Sequence, residues 1–253
     1  AGAGETFWQY RPFATGESAA RIDWRRSARG DHLYVREREW EAAHDYYLWM
    51  DCSSSMSFAS TLAPEDKLSR GVTLGLAVAD VLVRGGERVA AMGLTQPVSA
   101  RNVVDRLARA LYANAAVAAT QELPPESDVK PRARLVLISD FLISPDELAA
   151  RLKRYAAAGA SGALLMVIDP SEESLPFAGE TLFLDTDGGA AFHAGDAQSL
   201  KSAYTQLYAA HKSAIAAAAR TAGFAFLQHH TDRSAAEAAL ALTMSLQGVE
   251  ERR

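Results

Sequence analysis

The chain has 253 residues, 49% of them apolar, with a formal net charge of −5 and a single cysteine. That length and apolar content support one sizeable core, and the charge balance gives no global attraction to nucleic acid or to an anionic membrane. Cys52 alone excludes an internal disulfide, no apolar run reaches the length of a membrane span, and the opening residues lack a secretory pattern, so a cytoplasmic location is expected.

The first forty residues interleave Arg21, Arg25, Arg26, Arg29, Arg36 and Arg38 with Ile22, Trp24, Leu33, Tyr34 and Val35, and Gly16, Gly30 and Asp31 mark turns. The expectation for residues 1–44 is an irregular extension with a short hairpin. Its extended segment runs from Leu33 to Arg38, and its apolar side chains, Trp24 among them, pack on a main domain. Arginine beside tryptophan can also contact RNA, but arginines paired with acidic neighbours or water account for the same pattern, and no nucleic-acid partner is expected.

From Asp45 onward, strands and helices alternate. Tyr46 to Met50 is an apolar run that reads as a strand, and Leu68, Val72, Leu76, Ala79 and Val83 repeat at helical spacing until Gly85-Gly86. Arg88 to Leu94 reads as a second strand and Arg101 to Val117 as an amphipathic helix, followed by a polar loop from Thr120 to Pro131. Leu135 to Ile138 is a fully apolar strand ending at Ser139-Asp140. Pro145 to Ala158 is a helix with proline in its first turn, and Ala163 to Ile168 is a further apolar strand ending at Asp169-Pro170. Thr181 to Leu184 and Ala190 to His193, around Asp187-Gly188-Gly189, read as an edge hairpin. A helix from Ser199 to Ala222, a strand from Phe224 to Gln228 and a helix from Ser234 to Ser245 complete the chain. Continuous apolar strands alternating with helices imply an α/β fold: a doubly wound, mostly parallel sheet of Rossmann type with helices on both faces.

In such a sheet ligands bind at the carboxyl ends of the strands. Asp51, Asp140 and Asp169 each follow an apolar run directly and should share that rim. With the usual 3-2-1-4-5 order the strands carrying Asp51 and Asp140 are expected to be central neighbours. The spacing D-x-S-x-S places Asp51, Ser53 and Ser55 on one side if the backbone stays extended, with Cys52 and Ser54 facing away. One carboxylate and two hydroxyls are hard oxygen donors suited to Mg²⁺ or Mn²⁺, and an ion there would relieve the repulsion between Asp51 and Asp140. Serine and aspartate also suit plain turns and helix caps, in which case the cluster belongs to a metal-free scaffold.

These segments resemble a known family. D-x-S-x-S and Ser139-Asp140 are similar to the metal-ion-dependent adhesion site of von Willebrand factor A domains. Within that superfamily, three stretches resemble the bacterial domain of unknown function 58: Leu137-Ile138-Ser139-Asp140-Phe141-Leu142, Arg21 to Arg29, and Asp169 to Glu173 followed by Pro176 to Gly179. The resemblance implies a von Willebrand factor A-like domain over residues 45–248 that binds protein and is not an enzyme. It implies a Mg²⁺ or Mn²⁺ ion with one coordination position open to an acidic side chain of a client protein. A MoxR-type AAA+ ATPase is the implied partner, in a chaperone-like or assembly role. The adhesion site normally adds a threonine from a loop between the second strand and the Ser-Asp strand, an interval that holds Thr95 and Thr120. Thr120 lies in that loop, though Ala118 to Glu122 lacks the usual glycine-bearing context.

The enzyme alternative is Mg²⁺-dependent phosphoryl transfer through an aspartyl phosphate. Against it, the second carboxylate expected two residues after Asp51 is Ser53, and no lysine stands out at the far rim, since Lys130 and Lys153 read as loop and helix residues. No P-loop, G-x-S-x-G or G-x-G-x-x-G occurs. His229-His230 reads as a surface pair without zinc spacing, Trp49 as a packing residue and Cys52 as a small buried hydrophobe.

Overall fold

Apolar runs become strands buried on both faces. In the computed structural model β3 (Asp45–Met50), β5 (Arg134–Ser139) and β6 (Ser161–Ile168) are buried at every residue. They lie parallel between β4 (Arg88–Ala91) and β9 (Phe224–His230) in the order β4-β3-β5-β6-β9. Counted along the core sheet alone this is 2-1-3-4-5, not 3-2-1-4-5. The short β4, whose Arg88 end is exposed, stands at the edge and leaves β3 free to pair with β5. Trp49 is therefore opposite Leu137, and Met50 opposite Ile138.

The structure describes residues 6–14, 17–30, 32–39, 43–126, 129–186, 188–189 and 191–248. Gly16, Asp31, Asp187 and Ala190 lie outside them, as do the side chains of Arg21, Arg36 and Arg38. The chain gathers into two compact units, Ala1–Ala43 and His44–Arg253.

In the first unit, β1 (Thr6–Pro12) pairs antiparallel with β2 (Tyr34–Glu39), so Tyr10 faces Arg36 and Pro12 faces Tyr34. The connection carries α1 (Trp24–Ser27), capped by the Asp23 carboxylate on the Arg26 amide at 2.9 Å. The Arg26 guanidinium lies over the rings of Tyr10 and Tyr34, 5.6 and 5.3 Å from their centroids. Trp24 is 62% exposed, so it is not the packing residue that its bulk suggests; Ile22 and Val35 are buried instead.

In the second unit, alternation along β3 divides the core. Tyr46, Leu48 and Met50 face α2 (Lys67–Arg84), α3 (Val103–Ala113) and α8 (Ala235–Gly248). Tyr47 and Trp49 face α5 (Pro145–Ala157) and α7 (Ala197–Thr221). Two glycines let neighbours approach closely: a Cβ on Gly75 would meet the Met50 side chain, and one on Gly162 the Leu135 carbonyl of the adjacent strand. The helix expected over 101–117 breaks at Asn114, whose Nδ2 donates to the Ala110 carbonyl at 2.8 Å; a short α4 (Ala115–Ala118) follows. A further short helix, α6 (Pro170–Ser174), starts directly after β6. The expected hairpin is β7 (Thr181–Phe183) with β8 (Phe192–Ala194), an antiparallel pair that forms its own sheet rather than an edge of the main one. Among the described residues no helix is long and apolar enough to cross a membrane.

Asp66 starts α2 by accepting the Ser69 amide at 2.6 Å. Asp66→Ala is expected to lower unfolding stability by about 1 kcal/mol in denaturant titration, the usual worth of an N-cap.

Candidate metal centre

The β3–β5 ladder runs one step past the strand: the Asp51 amide donates to the Ile138 carbonyl at 2.9 Å. That bond brings Asp51 beside Ser139, whose hydroxyl donates to Asp51 Oδ2 at 2.7 Å. The backbone then turns sharply. Ser139 Oγ accepts the Phe141 amide at 2.8 Å, and Phe141 adopts a left-handed φ of 49° that costs a bulky residue about 1 kcal/mol or more. Burial of its ring near Trp49, 6.5 Å between centroids, and the His211 Nε2–H donated to its carbonyl at 2.8 Å hold that conformation. Asp140, one residue earlier, is thereby fixed on the rim with 2% exposure.

Asp51, Ser53 and Ser55 do come together, but not on an extended strand. Asp51 Oδ1 accepts the Ser53 amide at 2.8 Å, an aspartate turn, and a 3-10 turn follows over Ser54–Ser57, anchored in the core by the fully buried Met56. The turn sets the Ser53 and Ser55 hydroxyl oxygens 3.2 Å apart. Asp51 is nearly fully buried. Its carboxyl is pushed up to about 6 by burial, against the lowering effect of the Ser139 and Ser53 bonds, with the charge of Asp140 adding to the rise. A buried Asp51 carboxyl that the charge of Asp140 helps to push up, beside two converging hydroxyls, forms a donor set that fits a small hard cation. Among the described residues no three His, Cys, Asp or Glu side chains gather as metal ligands, so any ion here would rest on hydroxyls as much as on carboxylates.

Lys67, the first residue of α2, escaped the sequence reading. It is fully buried, and its ammonium donates to Asp140 Oδ2 at 2.7 Å and pairs with Glu172. Burial alone would push the ammonium down, but Asp140 and Glu172 hold it above its ordinary value, so it stays charged. A signal was present: Lys67, Gly71, Leu74, Gly75, Val78 and Leu82 form one helical stripe, and all are buried. A lysine at this rim also removes one of the objections to an aspartyl phosphate.

Other expected roles change. Thr120 is exposed and spends its hydroxyl on the Val117 carbonyl at 2.9 Å, after the short helix that replaces the continuous one. Asp169 caps α6, accepting the Ser171 amide and hydroxyl at 2.8 and 2.7 Å and the Ser60 amide at 2.9 Å. Burial works against its charge, yet these donors keep its carboxyl below the ordinary value. Cys52 is half-buried rather than buried, its thiol pushed up to about 11 by burial and by Asp51. His229 is not a surface residue: it is buried with Nε2 2.8 Å from Arg70 Nη1, and burial together with the Arg70 charge lowers it to about 4. His230 is half-exposed and bonds Glu173 at 2.7 Å.

Beside the cluster opens a cavity of about 700 Å³ that reaches Ser55, Phe58, Lys67 and Glu172 and is otherwise walled mainly by apolar side chains.

Residues 9–214 match the family described as "Protein of unknown function DUF58". The chain belongs to that family. The match takes in the acidic cluster and Lys67, and bears out the resemblance to domain of unknown function 58 drawn from Leu137 to Leu142 and from Arg21 to Arg29. Similar relatives are the uncharacterized proteins Mb1516 of Mycobacterium bovis and Rv1480 of Mycobacterium tuberculosis. Each is 26% identical over 247 residues, which is 92% of this chain and 76% of the relative. Among solved structures, BatB from Bacteroides thetaiotaomicron aligns with a TM-score of 0.46 and 16% identity, over 83% of this chain and all of that one. An aerotolerance-related membrane protein from Bacteroides fragilis aligns with a TM-score of 0.43 and 16% identity, over 81% and 100%.

Proposed function

We propose that this chain is a divalent-cation-dependent protein-binding module of the von Willebrand factor A type. The observation that carries the reading is the pair of hydroxyls, Ser53 and Ser55, 3.2 Å apart beside the buried Asp51, with Asp140 on the neighbouring strand end. Asp51, Ser53, Ser55 and Asp140 would hold Mg²⁺ or Mn²⁺. An ion held by neutral hydroxyls and few carboxylates stays electrophilic and can accept one more oxygen, such as a carboxylate from a client protein. A MoxR-type AAA+ ATPase partner comes from the family resemblance alone, and a cytoplasmic setting from the single cysteine and the lack of a secretory pattern. With Thr120 turned to Val117, the protein's share of the coordination is smaller than in a full adhesion site.

A metal-free scaffold is the second reading, favoured by one observation: Lys67 already supplies Asp140 with a positive partner. Catalysis is not part of the proposal, because Ser53 stands where an aspartyl-phosphate enzyme places its second carboxylate. Phosphate release from a generic phosphoryl donor that depends on Asp51 would restore the enzyme alternative.

Calorimetric titration with MgCl₂ and MnCl₂, joined to affinity capture with and without chelator, tests the reading. Wild type is expected to bind the ion and to capture its partner only in its presence. Asp51→Ala and Ser53→Ala should keep the fold and lose both, whereas Thr120→Ala should change neither. Capture that is equal in chelator would overturn the proposal.

A further inference from the structure

We infer that Lys67 is the resident counter-ion of the acidic cluster, competing with a divalent cation for Asp140, and that Glu172 sets how firmly the ammonium lets go. This rests on the metal-binding reading above and adds a determinant of affinity to it.

The lysine side chain is 1% exposed, Asp140 3% and Glu172 12%, so the three charges meet with little water between them. Lysine carries three donors and no acceptor, and its ammonium sits between one carboxylate that belongs to the cluster and one that does not. Glu172 is itself fixed. It stands in the first turn of α6 and accepts the Asp169 amide at 2.9 Å through Oε2, which leaves Oε1 for Lys67. The ammonium can therefore keep Glu172 while the charge of Asp140 is turned to an ion at Ser53 and Ser55. A fixed positive charge on Asp140 opposes a second cation nearby, the more so in a buried setting of low effective dielectric. Among the described residues the other Asp140 oxygen accepts only the Leu142 amide, at 3.2 Å, so Lys67 is its main electrostatic partner there.

The test is calorimetric affinity for Mn²⁺ in wild type, Lys67→Met, Lys67→Arg, Glu172→Gln and the Lys67→Met/Glu172→Gln double variant, with folding checked by circular dichroism. Lys67→Met should bind Mn²⁺ tighter by on the order of tenfold or more, and Lys67→Arg, which keeps the charge, should stay within a few-fold of wild type. Glu172→Gln should weaken binding, because the ammonium then leans on Asp140 alone, and that weakening should vanish once Lys67 is replaced. Unchanged or weaker binding by folded Lys67→Met, while wild type still binds through Asp51, overturns the inference and leaves the metal site standing. No heat from any variant sinks both. Should Lys67→Met not fold without metal, Glu172→Gln decides: an affinity equal to wild type overturns the competition.

Discussion

Lys67→Met, unfolded by denaturant in the presence of chelator at neutral pH, is expected to lose about 3–5 kcal/mol of stability. The mechanism is the charges left behind rather than the bond removed. Asp140 and Glu172 are both largely buried, and among the described residues neither keeps a cationic partner at hydrogen-bond distance without the ammonium. Methionine fills much of the same volume, so a cavity adds little to the loss. Lys67→Arg should recover a good part of it. A loss below about 1 kcal/mol would mean that water or a rearranged side chain already screens these carboxylates, as at an exposed pair. In saturating Mn²⁺ the deficit should shrink, because an ion bound to Asp140 supplies the missing positive charge.

The second large effect lies between about pH 4 and pH 6.5, where two buried groups pull stability in opposite directions. Asp51 titrates at 3.8 when unfolded and at about 6 when folded. The folded state favours its neutral form, so the stability it confers is full below 3.8 and is lost as pH rises through 6. His229 titrates at 6.5 unfolded and at about 4 folded. There the neutral imidazole is favoured, so its contribution is full above 6.5 and is lost as pH falls toward 4. At about 1.4 kcal/mol per tenfold shift, each group is worth about 3 kcal/mol. The two therefore offset in wild type and appear only in differences. Measured in chelator, Asp51→Asn should gain about 3 kcal/mol over wild type as pH rises from about 4 to about 6, and His229→Gln should gain a similar amount over wild type as pH falls across its window. Differences that stay flat with pH would show that neither group is shifted by burial. Adding Mg²⁺ should erase the Asp51→Asn advantage above pH 6, since an ion stabilises the ionised carboxylate.

Much of this fold was legible in the residues. Tyr46 to Met50 and Leu135 to Ile138 are short apolar runs without alternation that end in polar turn residues, the pattern of a strand covered on both faces. Their order was not legible, because alternation of strands and helices says nothing about which strand stands at the edge; the structure puts the short β4 there. The convergence of Ser53 and Ser55 followed from the motif, while its cause did not. Period-two alternation suggested it, but an aspartate turn and a 3-10 turn produce it. Lys67 and His229 were missed for one shared reason: lysine and histidine read as surface residues until a buried partner is seen. Their partners, Asp140 and Arg70, lie 73 and 159 residues away along the chain. Trp24 errs the other way, a large aromatic that local sequence cannot tell is exposed.

Whether hydroxyls and carboxylates from two adjacent strand ends hold a doubly charged ion is tested most directly by a crystal grown in MnCl₂, with anomalous diffraction recorded near the manganese edge. The expected result is one strong peak in contact with Asp51, the hydroxyl oxygens of Ser53 and Ser55, and Asp140, with the Lys67 ammonium on Glu172. No anomalous peak at that rim, with Lys67 still donating to Asp140 at high manganese, would contradict it.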